Sequence, residues 1–179
     1  MNAIKLSLFL FGITLLGTSC GPQLTYFTQR VYDEGQFTEN ELERIQFYLS
    51  SDVIMRRELG GGKSEVVSGN IKIVDGRKVE EVVIRKGTPG VLVYHPKEDR
   101  FGVSFEDGDR YLMFGPNPKA GNRYVLLASE WRRRVGSVTY DGKRYRVEGQ
   151  NAFASLMVDL RKVRQVSVNS RIAKGRRID

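Results

Sequence analysis

Residues 135–148 have the sequence VGSVTYDGKRYRVE, in which two runs of β-branched, aromatic and basic residues flank Asp141-Gly142. Asp-Gly between such runs is a strong signal for a two-residue β-hairpin, because both central residues of the turn need positive φ angles. The same dipeptide occurs at 75–76 and 107–108, between similar runs. The sequence therefore predicts three hairpins on a common plan, either as a weak repeat or through convergent turn chemistry.

Further strand-like runs surround these turns. The predicted strands are 52–58, 64–74, 78–85, 91–94, 100–106, 109–115, 123–128, 135–140 and 143–148. Segments rich in glycine or proline separate several of them, at 87–90, 95–99 and 115–118. Turn signals at this spacing are typical of an antiparallel sandwich or a small barrel.

One helix is predicted before this β-rich region, from about residue 39 to residue 50. Thr38 and Glu41 have the spacing of a capping box. Apolar residues then recur at helical spacing, at Leu42, Ile45 and Leu49. The predicted fold class is mainly β with α+β character: one N-terminal amphipathic helix, then an antiparallel meander of hairpins forming a small barrel or sandwich.

The segment 152–164 is ambiguous between helix and strand. Its first apolar residues have helical spacing, at Phe153, Leu156, Met157 and Leu160. Its later part favours a strand because of the β-branched residues Val163, Val166 and Val168.

Composition limits the chemistry that the chain can perform. Its 179 residues include one Cys, one His, and 29 Lys+Arg against 21 Asp+Glu. That length suffices for one domain with a core. A single Cys excludes internal disulfides and Cys-rich zinc sites, and a single His leaves one imidazole for any nucleophile–His pair. The sequence assigns no catalytic residue, no cofactor and no metal site.

The first 20 residues have the pattern of a secretory signal peptide. Lys5 supplies a positive region, Leu6 to Leu16 form an apolar region, and small residues precede Cys20. The apolar run is shorter than the ~20 residues that span a bilayer. This end resembles the bacterial lipobox, in which small residues precede a Cys that receives diacylglycerol. Gly17 stands where that family usually has Leu, as in the relaxed boxes of the Bacteroidota; a chance Cys after an ordinary signal peptide is the alternative.

The resemblance implies a lipid on Cys20, which is the only cysteine of the chain. Two or three acyl chains on one residue give stable anchoring without spanning. Gly21 in place of Asp favours the outer membrane, and the absence of an acidic run after it favours the periplasmic face. The expected organisation is a signal peptide over 1–19, a lipid anchor and tether over 20–36, one helix-plus-β domain over 37–171 and a basic tail over 172–179.

Several other motifs have a plain structural interpretation. The run from Gly60 to Ser64 resembles part of a phosphate-binding P-loop, but Arg57 stands where its first glycine is required. His95 is predicted to lie in a solvated turn, and Glu80-Glu81 to be solvated acids. The turn over Asp107 to Asp109 would hold at most a weakly bound Ca²⁺.

Basic charge concentrates in the C-terminal third, where residues 123–179 contain 14 basic and 5 acidic residues. The candidate surface for an anionic partner comprises Trp131, Arg132, Arg133, Arg134, Lys143, Arg144 and Arg146. In an exported protein we expect that partner to be a phospholipid or lipopolysaccharide head group, peptidoglycan carboxylates or an acidic protein, and not nucleic acid. A merely solvated face with arginine stems covering apolar surface is the alternative.

These features favour a non-enzymatic lipoprotein of the outer membrane that presents a basic surface as an accessory of an envelope assembly. The second hypothesis is a β-domain carrier of a lipid or glycan, and the third is an envelope hydrolase. A deep apolar cavity would favour the carrier. A cleft that joins His95 to a serine and a carboxylate would favour the hydrolase, and a filled core with a basic face would favour the accessory lipoprotein.

Overall fold

The computed structural model describes residues 22–60, 69–74, 76–97, 99–108, 110–132, 135–149 and 153–168. Within these ranges the strands are β1 (Leu24–Tyr26), β2 (Phe47–Leu49), β3 (Val53–Glu58), β4 (Asn70–Val74), β5 (Arg77–Ile84), β6 (Pro89–Lys97), β7 (Arg100–Ser104), β8 (Leu112–Asn117), β9 (Arg123–Leu126), β10 (Glu130–Arg132), β11 (Val135–Tyr140), β12 (Lys143–Glu148) and β13 (Leu156–Asp159). The α-helices are α1 (Gln29–Gly35), α2 (Glu39–Leu42) and α3 (Leu160–Val168).

The strands form two antiparallel sheets. One has the order β1-β13-β2-β6-β7-β8-β9, and the other has the order β10-β11-β12-β3-β5-β4. The chain passes between the sheets after β2, β5, β9 and β12. The predicted class, mainly β with antiparallel hairpins, is confirmed, and the arrangement is sandwich-like instead of a closed barrel.

Two of the three Asp-Gly turns are tight hairpins. Asp141 and Gly142 have φ angles of 51° and 67° and connect β11 to β12, as the turn chemistry requires. Gly76 lies in the turn between β4 and β5, whereas Asp75 lies outside the described residues. The third turn is part of a longer loop between β7 and β8. The strands predicted over 100–106 and 109–115 are therefore wrong at the ends next to this turn, since β7 ends at Ser104 and β8 begins at Leu112. There the Arg110 guanidinium lies 3.2 Å from the Glu106 carboxylate and 3.6 Å from the Asp141 carboxylate, so the loop packs against the turn between β11 and β12.

The start of the predicted helix is confirmed. The backbone N–H of Thr38 donates to the Glu41 carboxylate at 2.8 Å, and the Thr38 hydroxyl donates to the same oxygen at 2.8 Å. These two bonds, the backbone one first, hold the pKa of Glu41 below its ordinary value. The capping-box spacing therefore located a helix terminus correctly.

The predicted end of that helix, at residue 50, is wrong. α2 ends at Leu42, and residues 47–49 form β2. Buried side chains alternate through this stretch, at Ile45, Phe47 and Leu49. The apolar residues therefore fit strand periodicity as well as helical periodicity, and ladders to β6 and β13 stabilise the strand.

Residues 24–35, which the sequence assigned to a tether, contain β1 and α1. β1 pairs with β13, and the Phe27 side chain after it has no exposed surface. The Thr28 hydroxyl then caps α1 by accepting from the Val31 N–H at 3.3 Å. Only residues 21–23 therefore separate Cys20 from β1.

The ambiguous segment 152–164 contains β13 followed by the start of α3. The prediction that its later part forms a strand is therefore wrong. Val163 is buried and Val166 lies three residues further along α3, so both valines occupy one side of the helix. Residue 152 lies outside the described residues. Two of the predicted breaks fall inside strands: β6 begins at Pro89 and continues through Pro96 with shifts in its register, and β8 continues through Pro116.

Aromatic rings fill the centre of the first sheet's inner face. The rings of Phe27, Phe47, Phe101 and Tyr124 contact one another with centroid distances of 4.8–5.9 Å. Buried residues of the second sheet continue the same core. Within the described ranges, no helix has both the length and the apolar character needed to cross a bilayer.

Candidate functional site

The outer face of the second sheet carries a row of polar residues that crosses all six strands. Strand register aligns them in the order Glu130, Ser137, Arg146, Arg56, Glu81 and Asn70. The intervening residues on the central strands, Met55, Tyr145 and Val147, are buried against the core. Strand alternation thus places Arg56 from the first half of the domain beside Arg146 from the C-terminal third.

An open groove of about 1170 Å³ lies along the part of this row that runs from Glu130 to Arg56. Its cationic lining consists of Arg56, Arg57, Arg132, Lys143, Arg144 and Arg146, and its carboxylate lining consists of Glu58, Glu130 and Glu148. We call this feature the basic groove. Its composition, with twice as many cations as carboxylates, suits the binding of anions along the middle of the sheet.

The charged side chains on the β3 side of the basic groove are held in ion pairs. Arg56 Nε donates to the Glu81 carboxylate at 2.7 Å, and Lys72 Nζ donates to the second oxygen of that group. Hydrogen bonds from Lys72 and then from Arg56 hold the pKa of Glu81 below its ordinary value. Glu58 is likewise paired, 3.0 Å from the Arg77 guanidinium. Each of these charged groups therefore has a partner of opposite sign within the protein, although Arg56 and Lys72 share one carboxylate.

The β10 and β12 side of the basic groove differs. Among the described residues, no carboxylate lies within 4.0 Å of the guanidinium groups of Arg132, Arg144 or Arg146. These side chains are exposed, and Ser137 with its hydroxyl lies opposite Arg146 on the adjacent strand. This half of the groove therefore offers three uncompensated guanidinium groups and a neighbouring hydroxyl, which is a donor set suited to phosphate or carboxylate oxygens.

A buried ion pair supports the groove from below. Arg57 Nε binds the Glu80 carboxylate, and the side chain of Glu80 has no exposed surface. Gly69 N–H donates to the same carboxylate at 3.0 Å, and the guanidinium of Arg57 lies 5.9 Å from the ring centre of Tyr145. Burial raises the pKa of the Tyr145 phenol, so it stays neutral. This pair fixes β3 against β5 and so positions the strand that carries Arg56.

The structure brings together four of the seven residues in the predicted anionic-partner surface. Arg132, Lys143, Arg144 and Arg146 line the basic groove, and Lys143 Nζ lies 3.8 Å from an Asp141 oxygen. Arg133 and Arg134 lie outside the described residues.

Trp131, the remaining member, lies on the opposite face of β10 from Arg132. Its ring stacks on Phe153 with a centroid distance of 6.2 Å and an interplanar angle of 8°. It also covers Gly136, where an added Cβ would approach the indole to 2.9 Å. Trp131 therefore packs against Phe153 and Gly136 on the other face of β10 and does not line the basic groove.

The residues considered for catalysis do not converge. His95 lies within β6, not in a turn, and its ring packs edge-to-face on Phe101 at 5.1 Å. Among the described residues, its Nε2 atom has no hydrogen-bond partner, serine and carboxylate included. Glu80 and Glu81 lie on opposite faces of β5 and are both ion-paired, so the prediction that they are solvated is wrong. Asp109 lies outside the described residues.

Sequence reasoning missed Arg56 as a groove residue. Residues 53–55 are all apolar, so the sequence does not show which face of the strand Arg56 occupies. Nor does any local signal show that β3 pairs with β12, because about 90 residues separate the two strands in the chain.

The part of the chain that the structure describes contains no group of three or more His, Cys, Asp or Glu side chains arranged to hold a metal ion. Comparison of the chain with protein families, curated proteins and solved structures finds no match.

Proposed function

We propose that this chain is an exported lipoprotein, anchored through Cys20 in the outer membrane and facing the periplasm, that binds an anionic envelope partner with its basic groove. It acts without catalysis, as an accessory of a larger envelope assembly. The observation that carries the proposal is the set of three guanidinium groups, from Arg132, Arg144 and Arg146, that lack a carboxylate among the described residues.

The charge arrangement supports a discrete anionic ligand. The guanidinium groups project from two strands with Ser137 between them, so a phosphate or carboxylate can contact groups on both strands. Glu130 and Glu148 also line the groove, which disfavours a uniformly negative surface and favours anionic groups spaced along a ligand.

The anchor has its own test. Replacing Cys20 with Ser removes the atom that would carry the acyl chains, and these supply nearly all of the membrane affinity. Metabolic labelling with an alkyne fatty acid should mark the wild-type protein and leave C20S unlabelled. Equal labelling of the two proteins would contradict lipidation at this residue.

The groove is tested by charge reversal. The variant R132E/R144E/R146E should lose most of its salt-sensitive binding to isolated peptidoglycan or to anionic liposomes, because exposed charges act over about 8–10 Å at physiological ionic strength. The matched control is K86E/K97E/K119E, which makes the same change in net charge with exposed lysines outside the groove. Equal loss of binding by both variants, or by neither, would reject the groove as the binding surface.

The structure gives less support to the carrier hypothesis than to the basic-groove proposal. A carrier needs a deep apolar cavity, and the inner faces of the two sheets are occupied by one continuous cluster of buried side chains.

A further inference from the structure

A second groove continues from the basic groove at Ser137. Ser137 lines both features, and the second one follows β11 onward to Asp141 and Gly142, with β8 on its other side. We call this feature the β11 cleft. The stretch of β11 from Ser137 to Tyr140 extends over roughly 10 Å. The cleft has a volume of about 500 Å³, and binding sites for small ligands usually measure about 300–1,000 Å³.

The wall of the β11 cleft on the side of β8 is mainly apolar. Tyr111, Met113 and Leu127 line it, and each is partly exposed. The Tyr111 ring contacts the ring of Tyr94 with a centroid distance of 5.4 Å, and Tyr94 is 47% exposed. Gly102 lies beneath both rings, where an added Cβ would approach Tyr94 to 2.7 Å and Tyr111 to 3.0 Å. Because Gly102 has no side chain, the two rings lie close to the sheet and present an open aromatic surface.

The wall on the side of β11 is polar and has unused hydrogen-bonding capacity. The hydroxyl groups of Ser137 and Thr139 make no hydrogen bond within the part of the chain that the structure describes. The Ser129 hydroxyl donates to the Ser137 carbonyl oxygen at 3.0 Å and keeps its own lone pairs as acceptors. This wall therefore suits a ligand that both donates and accepts hydrogen bonds.

The charged groups of the β11 cleft are paired, unlike the arginines of the basic groove. Its lining contains one cation, Arg100, and one carboxylate, Asp141. Arg100 lies 3.3 Å from the Asp99 carboxylate, and the Asp141 carboxylate lies 3.6 Å from the Arg110 guanidinium. The cleft thus offers no surplus of either charge, so it is complementary to an uncharged part of a ligand whose anionic part lies in the basic groove.

We infer that the anionic partner of the basic groove is a polysaccharide that carries carboxylates, and that its sugar rings continue past Ser137 into the β11 cleft. This inference rests on the proposed function of the basic groove. A sugar ring has an apolar face of C–H bonds, which packs on an aromatic ring, and a rim of hydroxyl groups, which donate and accept hydrogen bonds. These two properties match the two walls of the cleft. The carboxylates then bind Arg132, Arg144 and Arg146.

Two other anionic partners fit the two grooves less well. The acyl chain of a phospholipid in the cleft would cover the hydroxyl groups of Ser137 and Thr139 without offering them a hydrogen bond, which is costly. An acidic peptide binds a sheet by adding a strand to a free edge. β10 pairs with residues 135–137 of β11, so only residues 138–140 extend beyond it, and an added strand there would be very short.

The test compares a charged and an uncharged sugar chain that share one backbone. Isothermal titration calorimetry on the full-length protein in neutral detergent uses peptidoglycan glycan strands freed of their peptides, which carry a lactyl carboxylate on alternate sugars. The second probe is chitotetraose, which has the same type of amino sugar and no charge. The glycan strands should bind in a salt-sensitive way, and chitotetraose should bind more weakly and independently of salt.

Variants of the two grooves should affect the two probes differently. Y111A should weaken the binding of both probes roughly 3- to 10-fold, because the sugar ring loses its aromatic partner, and Y111F should keep most of the affinity. R132E/R144E/R146E should weaken the binding of the glycan strands and leave chitotetraose binding unchanged. The matched control is Y48A, which removes a partly exposed tyrosine that lines neither groove. Thermal melts of each variant separate loss of binding from loss of folding.

The outcomes distinguish this inference from the proposed function. Loss of strand binding in R132E/R144E/R146E, together with no effect of Y111A on either probe, would leave the basic groove intact and overturn the sugar site. Unchanged strand binding in R132E/R144E/R146E would overturn the basic groove and this inference with it. Tighter binding of lipopolysaccharide, phosphatidylglycerol vesicles or polyglutamate than of the glycan strands would assign the basic groove to that ligand and overturn the inference.

Discussion

Two sets of cations lie side by side on the second sheet, and their surroundings differ. On β3 and β4, Arg56 and Lys72 share the Glu81 carboxylate, and Arg57 binds the fully buried Glu80 beneath them. On β10 and β12, by contrast, the arginines have no carboxylate within ion-pairing distance among the described residues. Arg56 and Arg146 occupy directly opposite positions of one ladder, yet they belong to different sets.

The difference teaches how to separate structural cations from cations that bind a ligand. A buried carboxylate requires a partner because an unpaired charge in the interior is costly, so Arg57 is committed to Glu80. An exposed guanidinium has no such requirement, since water solvates it. Net charge does not distinguish the paired cations from the unpaired ones. The positions of the carboxylates do.

The largest effect expected from this comparison follows from breaking the buried pair. E80Q should lower the free energy of unfolding by about 3–5 kcal/mol, because it leaves the Arg57 guanidinium without its buried counter-ion. E58Q is the matched control, since Glu58 is half exposed and pairs with the exposed Arg77, so its loss should cost about 0–1 kcal/mol. Urea denaturation of both variants measures the difference; equal losses would mean that burial does not distinguish these carboxylates.

An intermediate effect concerns acid. The pKa of Glu81 is lower in the folded protein than its unfolded value of about 4.3, so its contribution to stability is complete above that pH. The contribution is lost as the pH falls through the lower, folded-state pKa. The wild type should therefore lose more stability than E81Q between pH 5 and pH 3, as measured by urea denaturation at each pH. Parallel curves for the two proteins would show that the ion pairs with Lys72 and Arg56 contribute nothing.

The smallest effect is expected on the unpaired side and has the opposite sign. R146Q should leave stability unchanged or raise it by a few tenths of a kcal/mol, because like charges directly opposite each other on a ladder are destabilising. T139Q is the control, because it places a long polar side chain on the same outer face of the sheet, on the neighbouring strand β11. A loss of more than about 1 kcal/mol in R146Q would indicate that Arg146 covers apolar surface with its stem and is structural.

Local sequence located turns and termini better than it located helices and strands. The positive φ angles at Asp141 and Gly142 and the cap at Thr38 depend on residues close in the chain, so the local pattern suffices. The apolar residues from Leu42 to Leu49 fit both helical and strand periodicity. Pairing with strands distant in the sequence stabilised the strand over 47–49. Leu24 to Tyr26 gave no clear strand signal because three residues are too few to show a period.

The sequence by itself determined that the chain is β-rich, that its cations concentrate in the last third, and that its only cysteine follows an apolar N-terminal run. These properties need composition and short-range pattern alone. The tertiary structure decided that Trp131 turns away from Arg132, that Arg56 joins the groove, and that α3 begins beside the strand leading back to Cys20. Each of these depends on which strands pair across long separations. Long-range pairing is set by the fit of whole sheet faces to a shared core, and no short segment encodes that fit.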